Sequence, residues 1–146
     1  MAARKEFARL HALHEAGDAA LFHDEDPARM AAHLKKELSY EAAVRNLRSG
    51  ETVRGCCVDR FRGRKVASYI LETPHGVVSI IVSSESPEQL QLRHRIERSG
   101  RTLWRCRHGD CRIAGIVCGE LSYYAVGDVP PEVLTDLLLR VAPTVE

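Results

Sequence analysis

Gly55 to Ser83 reads GCCVDRFRGRKVASYILETPHGVVSIIVS, and the rhythm of this stretch decides the fold. Three short runs, GCCVDRF, KVASYILE and VVSIIVS, are rich in β-branched and aromatic residues and are separated by turn residues at Arg62 to Arg64 and at Pro74-His75-Gly76. That pattern predicts three antiparallel strands in a meander. The third run is apolar on both faces, which predicts a central strand, covered by helices on one side and by other strands or loops on the other.

Working outward, residues Ser84 to Gly100 are polar and loop-like, with a short helix expected over Pro87 to Ile96. The strand rhythm then resumes in TLWRCR, the turn His108-Gly109-Asp110, CRIAGIVC, the turn Gly119-Glu120, and LSYYAVG. Upstream, Ala3 to Glu15 has helical spacing, with Phe7, Leu10 and either Leu13 or His14 on neighbouring turns and Gly17 as the stop. In HDEDPARMAAHLKKELSY, Asp26 caps a second helix, Pro27 fits its first position, and Met30, Leu34 and Leu38 form one stripe. At the other end Asp128 and the following prolines open a helix whose Leu134, Leu137, Leu138 and Val141 lie on one face.

These elements predict an α+β fold with two N-terminal helices, an antiparallel sheet of about six strands and a C-terminal amphipathic helix. The expected organisation is a single domain over residues 1–146, with a helical lead in 1–40, the sheet in 51–127 and the closing helix in 128–142.

Composition narrows the function classes. Twenty-one basic residues against twenty acidic ones give a net charge of +1, so the overall balance asks for neither nucleic acid nor an anionic membrane. The dense arginines between Arg93 and Arg112 read as a mixed, solvated face. No window approaches the roughly 20 apolar residues of a membrane span, and the charged N-terminus has no apolar core of a signal peptide. As written, the chain is expected to be soluble and unexported: cytoplasmic if complete, extracytoplasmic if excised from something longer. Five cysteines cannot all pair within one monomer, which favours a reducing compartment.

The cysteines raise the question of a site. Cys106, His108 and Cys111 bracket a hairpin turn as C-x-H-x-x-C, a spacing that brings metal ligands together in zinc ribbons and knuckles, although structural zinc takes four ligands. His11 and His14 share one face of the first helix and supply two more candidate ligands for zinc or another transition metal. The order H-x-x-H-E differs from the H-E-x-x-H of zinc proteases. The plainer expectation makes the histidines partly exposed helix residues and the cysteines small hydrophobes on strand faces, with Cys56 and Cys57 pointing to opposite sides. No cofactor is then expected. No nucleophile elbow, P-loop or dinucleotide fingerprint is present. A Cys106–His108 nucleophile has no third orienting residue in the sequence to support it.

Gly55, Val58, Asp59, Gly63, Arg64, Val66 and Ala67, together with the closing stretch CGELSYYAVGDVPPEVLTDLL, form a pattern that resembles the extracytoplasmic sensory domain of bacterial transmembrane anti-sigma factors. The resemblance runs from about Phe7 to Val141 and rests on fold-defining glycines and core positions. It implies an α+β sensor module without enzymatic activity, in a system where a separate zinc-binding domain sequesters a sigma factor. The chain carries neither that domain's His and C-x-x-C motif nor a membrane helix, so the likeness covers the sensory part alone, excised or free-standing.

Two functions of different class are therefore expected. One is a non-enzymatic regulatory domain that binds a protein partner or a small ligand, with homodimerisation open and no nucleic acid involved. The alternative is a transition-metal or thiol-redox sensor built on the 103–119 hairpin, with Cys106, His108, Cys111, His11 and His14 as its candidate residues.

Overall fold

The computed structural model describes residues 2–17 and 20–143; Met1 and residues 144–146, at the ends of the expected domain, lie outside them. Helix α1 covers Ala3–Ala16 and α2 covers Pro27–Lys35. Seven strands follow: β1 (Thr52–Phe61), β2 (Arg64–Thr73), β3 (Gly76–Ser83), β4 (His94–Arg98), β5 (Arg101–His108), β6 (Cys111–Cys118) and β7 (Leu121–Gly127). Helix α3, Pro131–Val141, closes the chain.

All seven strands form one antiparallel sheet in the order β1-β2-β3-β7-β6-β5-β4. Two meanders are thus joined along a β3–β7 seam, where Ile81 faces Tyr124. The three strands read from the 55–83 stretch are present, and β3 is interior as its two-sided apolar pattern predicts. Both of its faces, however, are covered by helices or connecting segments.

Alternation along the strands sorts the core into two clusters. Tyr69, Leu71, Val78, Ile80, Tyr123 and Ala125 point toward α3, α2 and the irregular segment 38–47. Val66, Ile81, Tyr124 and Val126 point the other way, toward Phe7 and Leu10 of α1 and Leu90 and Leu92 of the connection between β3 and β4. Buried tyrosines tie the covering segments down by their hydroxyls, as buried phenols require a partner. Tyr69 donates to the Ala42 carbonyl at 2.6 Å, Tyr123 to Ala43 at 2.8 Å and Tyr124 to Glu85 at 2.6 Å.

Two local expectations are corrected. Residues 87–91 make a single turn, and the chain then forms β4 where a helix over Pro87 to Ile96 was expected. Gln91 at φ 62° breaks any helical run, and HRIER pairs with β5 across a tight turn at Ser99 and Gly100. Only Ile96 of this edge strand is partly covered, and its four flanking polar residues keep the free edge hydrated. Helix α2 stops at Lys35, so Leu38 reaches the core from beyond the helix. Asp26 does cap it, accepting from the Ala28 amide at 2.9 Å.

Gly55 has a steric role. A Cβ there would meet the Leu21 side chain at 2.7 Å and the Phe22 carbonyl at 3.0 Å, and its absence lets Phe22 bridge to Cys56 along the edge of β1. No helix among the described residues is long and apolar enough to cross a membrane.

Candidate functional site

Polar side chains gather at one place in the interior, between α1 and the sheet. Cys57, Asp59 and Phe61 alternate on the α1 side of β1, and Ser68 and Ser79 occupy the same side of β2 and β3. An aspartate and two serines on strand faces that are otherwise apolar need partners when a helix covers them. Helix α1 supplies partners for Asp59 and Ser79 from His11 and His14, three residues apart and on one face, and Ser68 bonds to Asp59 itself.

His14 is the centre of the network. Its Nε2 lies 2.7 Å from Asp59 Oδ2 and its Nδ1 lies 2.8 Å from Ser79 Oγ. His11 Nδ1 reaches the same Ser79 oxygen at 2.9 Å. Ser68 Oγ donates to Asp59 Oδ2 at 2.7 Å, and the Cys57 thiol points at that oxygen from 3.6 Å. Burial pushes the Asp59 carboxyl up, but the hydrogen bonds from His14 and Ser68 outweigh it and hold the pKa below the usual 3.8.

In the His14 tautomer with its proton on Nε2, facing an ionised Asp59, the directions of the other bonds follow. His14 carries its proton on Nε2 and donates to Asp59, so its Nδ1 accepts from the Ser79 hydroxyl. Ser79 has then used its proton and accepts from His11 Nδ1–H. This leaves His11 Nε2 as a buried acceptor without a hydrogen-bond partner. The Glu15 carboxylate lies 4.0 Å from that nitrogen. Burial lowers the His11 pKa below 6.5 against the opposing pull of Glu15 and Asp128, and His14 adds to the lowering.

The C-terminal end of α1 is fixed independently. Gly17 adopts φ 78° and returns its amide to the His14 carbonyl at 3.2 Å, and Arg54 of β1 donates to the same carbonyl at 3.5 Å.

The five candidate ligands are divided by the fold. His11 and His14 meet on Ser79, and at 4% and 2% exposure they are buried, contrary to the expectation of partly exposed helix histidines. Their i, i+3 spacing turns both toward the sheet, while Leu13 is left 39% exposed. Cys106 and Cys111 lie on neighbouring strands against the Phe7 and Trp104 cluster, and His108 is exposed at the end of β5. Among the described residues the one group of three or more metal donors within 4.8 Å of one another is His14, Cys57 and Asp59. Sequence reading therefore found the histidines and missed Cys57, Asp59, Ser68 and Ser79. The available signal was an aspartate placed between apolar residues on the inward face of a strand.

The thiols are not activated. Burial pushes Cys111 and Cys56 up to about 11 and Cys106 up to about 12; Arg4 offsets part of the effect at Cys106. Cys57 is raised furthest, by burial and then by the Asp59 charge. All five cysteines are free. Ser79, His14 and Asp59 have the composition of a nucleophile, base and orienting acid. Ser79 is fully buried in the middle of β3, however, and no substrate carbonyl reaches its hydroxyl in this conformation.

No family model, curated protein or solved structure matches the chain.

Proposed function

We propose that the protein is a non-enzymatic regulatory domain, of the sensory kind that its sequence resembles in transmembrane anti-sigma factors, with α1 as the element that responds to a protein partner or small ligand. The observation that carries this reading is the polar attachment of α1. A helix docked by apolar area alone tolerates small changes, whereas one held through His11, His14, Ser79 and Asp59 depends on every donor meeting an acceptor. Altering one of these groups shifts the balance between docked and released helix, which is how a binding event becomes a signal.

Amide hydrogen exchange of wild type and Asp59→Asn tests this. Exchange across residues 3–16 should rise by about tenfold or more in the variant, with the amides of β3 and β7 unchanged. If α1 exchanges only together with β3 and β7 in both proteins, it is not a separately responding element and the reading fails.

A second reading is favoured by the His14, Cys57 and Asp59 group, whose mixed N, S and O donors suit a borderline transition metal such as zinc. In this version of the metal sensor the sheet cysteine is Cys57, in place of Cys106 or Cys111. Metal would have to displace the His14 Nε2 proton and the Cys57 thiol proton. Titration of chelator-treated protein with zinc, followed by thermal unfolding, should show stabilisation at one equivalent that Cys57→Ser removes and Cys111→Ser leaves intact. Equal binding by both variants would rule this site out.

A further inference from the structure

The arginines from Arg93 to Arg112 are unevenly paired. Arg98 and Arg105 both turn to Glu132, at 3.3 and 2.7 Å, and Arg112 lies 3.9 Å from Asp128. Arg93 and Arg107 have no carboxylate partner among the described residues. With Arg4 from the first turn of α1 they line a concavity of about 710 Å³ that also takes in Arg62, His94 and Arg105 and has no aspartate or glutamate in its wall. Arg62 and Arg105 are matched by Glu85 at 3.7 Å and by Glu132. Among the described residues Arg4 donates to the Arg107 carbonyl, at 3.4 Å. Three exposed arginines, Arg4, Arg93 and Arg107, therefore line one hollow with no carboxylate partner among the described residues.

The setting adds shape to the charge. Strand β4 begins at His94, opposite Arg105, so Cys106 to His108 run past it along an open strand edge beside the hollow. On the α3 side a second groove of about 400 Å³ adjoins it, sharing His94, Arg105, Cys106 and Arg107 and floored by Ile113, Ala114, Pro131 and Leu134. Guanidinium forks match phosphate oxygens in pairs, and a concave site of this size encloses a small molecule. Three positive charges are balanced better by a diphosphate than by a single carboxylate.

We propose that this basin binds a small phosphorylated organic molecule, its phosphates held by Arg4, Arg93 and Arg107 and its apolar part seated in the adjoining groove. The site stands whether or not α1 is the responding element, although Arg4 places the ligand against that helix.

Calorimetric titration with inorganic pyrophosphate, a nucleoside diphosphate and a short single-stranded oligonucleotide tests the proposal. Wild type should bind one equivalent of the nucleoside diphosphate, more tightly than pyrophosphate because the groove contributes. The Arg93→Gln/Arg107→Gln double variant should lose about tenfold or more in affinity, with an unchanged melting temperature. Arg95→Gln, on β4 outside the basin, should bind like wild type. Four results would overturn the proposal: no saturable binding of either phosphate probe, equal affinity for both, equal losses in Arg95→Gln and the double variant, or tightest binding by the oligonucleotide. The last would assign the basin to a nucleic-acid backbone.

Discussion

Among the described residues, 24 buried apolar side chains form one continuous cluster on the face covered by α2 and α3, whereas the cluster under α1 has 12 and a band of polar groups at its centre. Ion pairing on the first face is kept to the rim, where Arg140 grips Glu51 through two bonds of 2.8 and 2.7 Å and keeps that carboxyl below its usual pKa. On the second face the polar groups lie beneath the helix itself. In the proposed reading the difference separates two tasks: apolar area holds α3 under a wide range of conditions, and hydrogen-bond matching makes the attachment of α1 conditional.

The largest test of that contrast is a pair of truncations. Leu138→Ala removes a fully buried side chain from the larger cluster and should cost about 3 kcal/mol, against about 2 kcal/mol for Leu10→Ala under α1. Urea unfolding measures both, and a reversed order would contradict the division of labour. Next in size, Asp59→Ala leaves the His14 and Ser68 donors without their shared acceptor and should cost about 2 kcal/mol. A Ser68→Ala/Asp59→Ala double variant should cost less than the sum of its parts, because the two residues share one interaction.

Acid should distinguish the faces more gently. The His11 pKa is lowered on folding, so below about pH 6.5 the unfolded chain binds the proton more readily than the folded one. Stability is then full above pH 6.5 and declines as the pH falls from there toward the lowered folded value. Melting temperatures across this window should fall more steeply for wild type than for His11→Gln, and parallel curves would show that His11 does not titrate in this way. The smallest effect is expected for Cys111→Ser, a partly covered thiol outside the polar band, at less than about 1 kcal/mol.

The elements were largely legible from local pattern. Alternation in 55–83 and 103–127 located six of the strands, and Leu134 to Val141 located α3. The seventh, β4, was hidden because HRIER is a charged edge segment whose strand character comes from pairing with β5. His11 and His14 were recognised from their spacing as a pair on one face, but a helical stripe does not say which of its faces a sheet will cover. Cys106, His108 and Cys111 are close in sequence and still do not converge, because a two-residue hairpin sets the register and leaves His108 exposed at its end.

Sequence by itself determined the α+β class, the first meander and the opposed directions of Cys56 and Cys57, since these follow from periods of 2 and 3.6 residues. Tertiary structure alone decided that α1 would lie across β3, bringing His14 to Asp59, 45 positions away, and to Ser79, 65 away. It also decided that Arg4 would join Arg93 and Arg107 around one hollow. The physical reason is that burial, hydrogen-bond matching and charge compensation depend on which surfaces meet, and spacing along the chain does not contain that information.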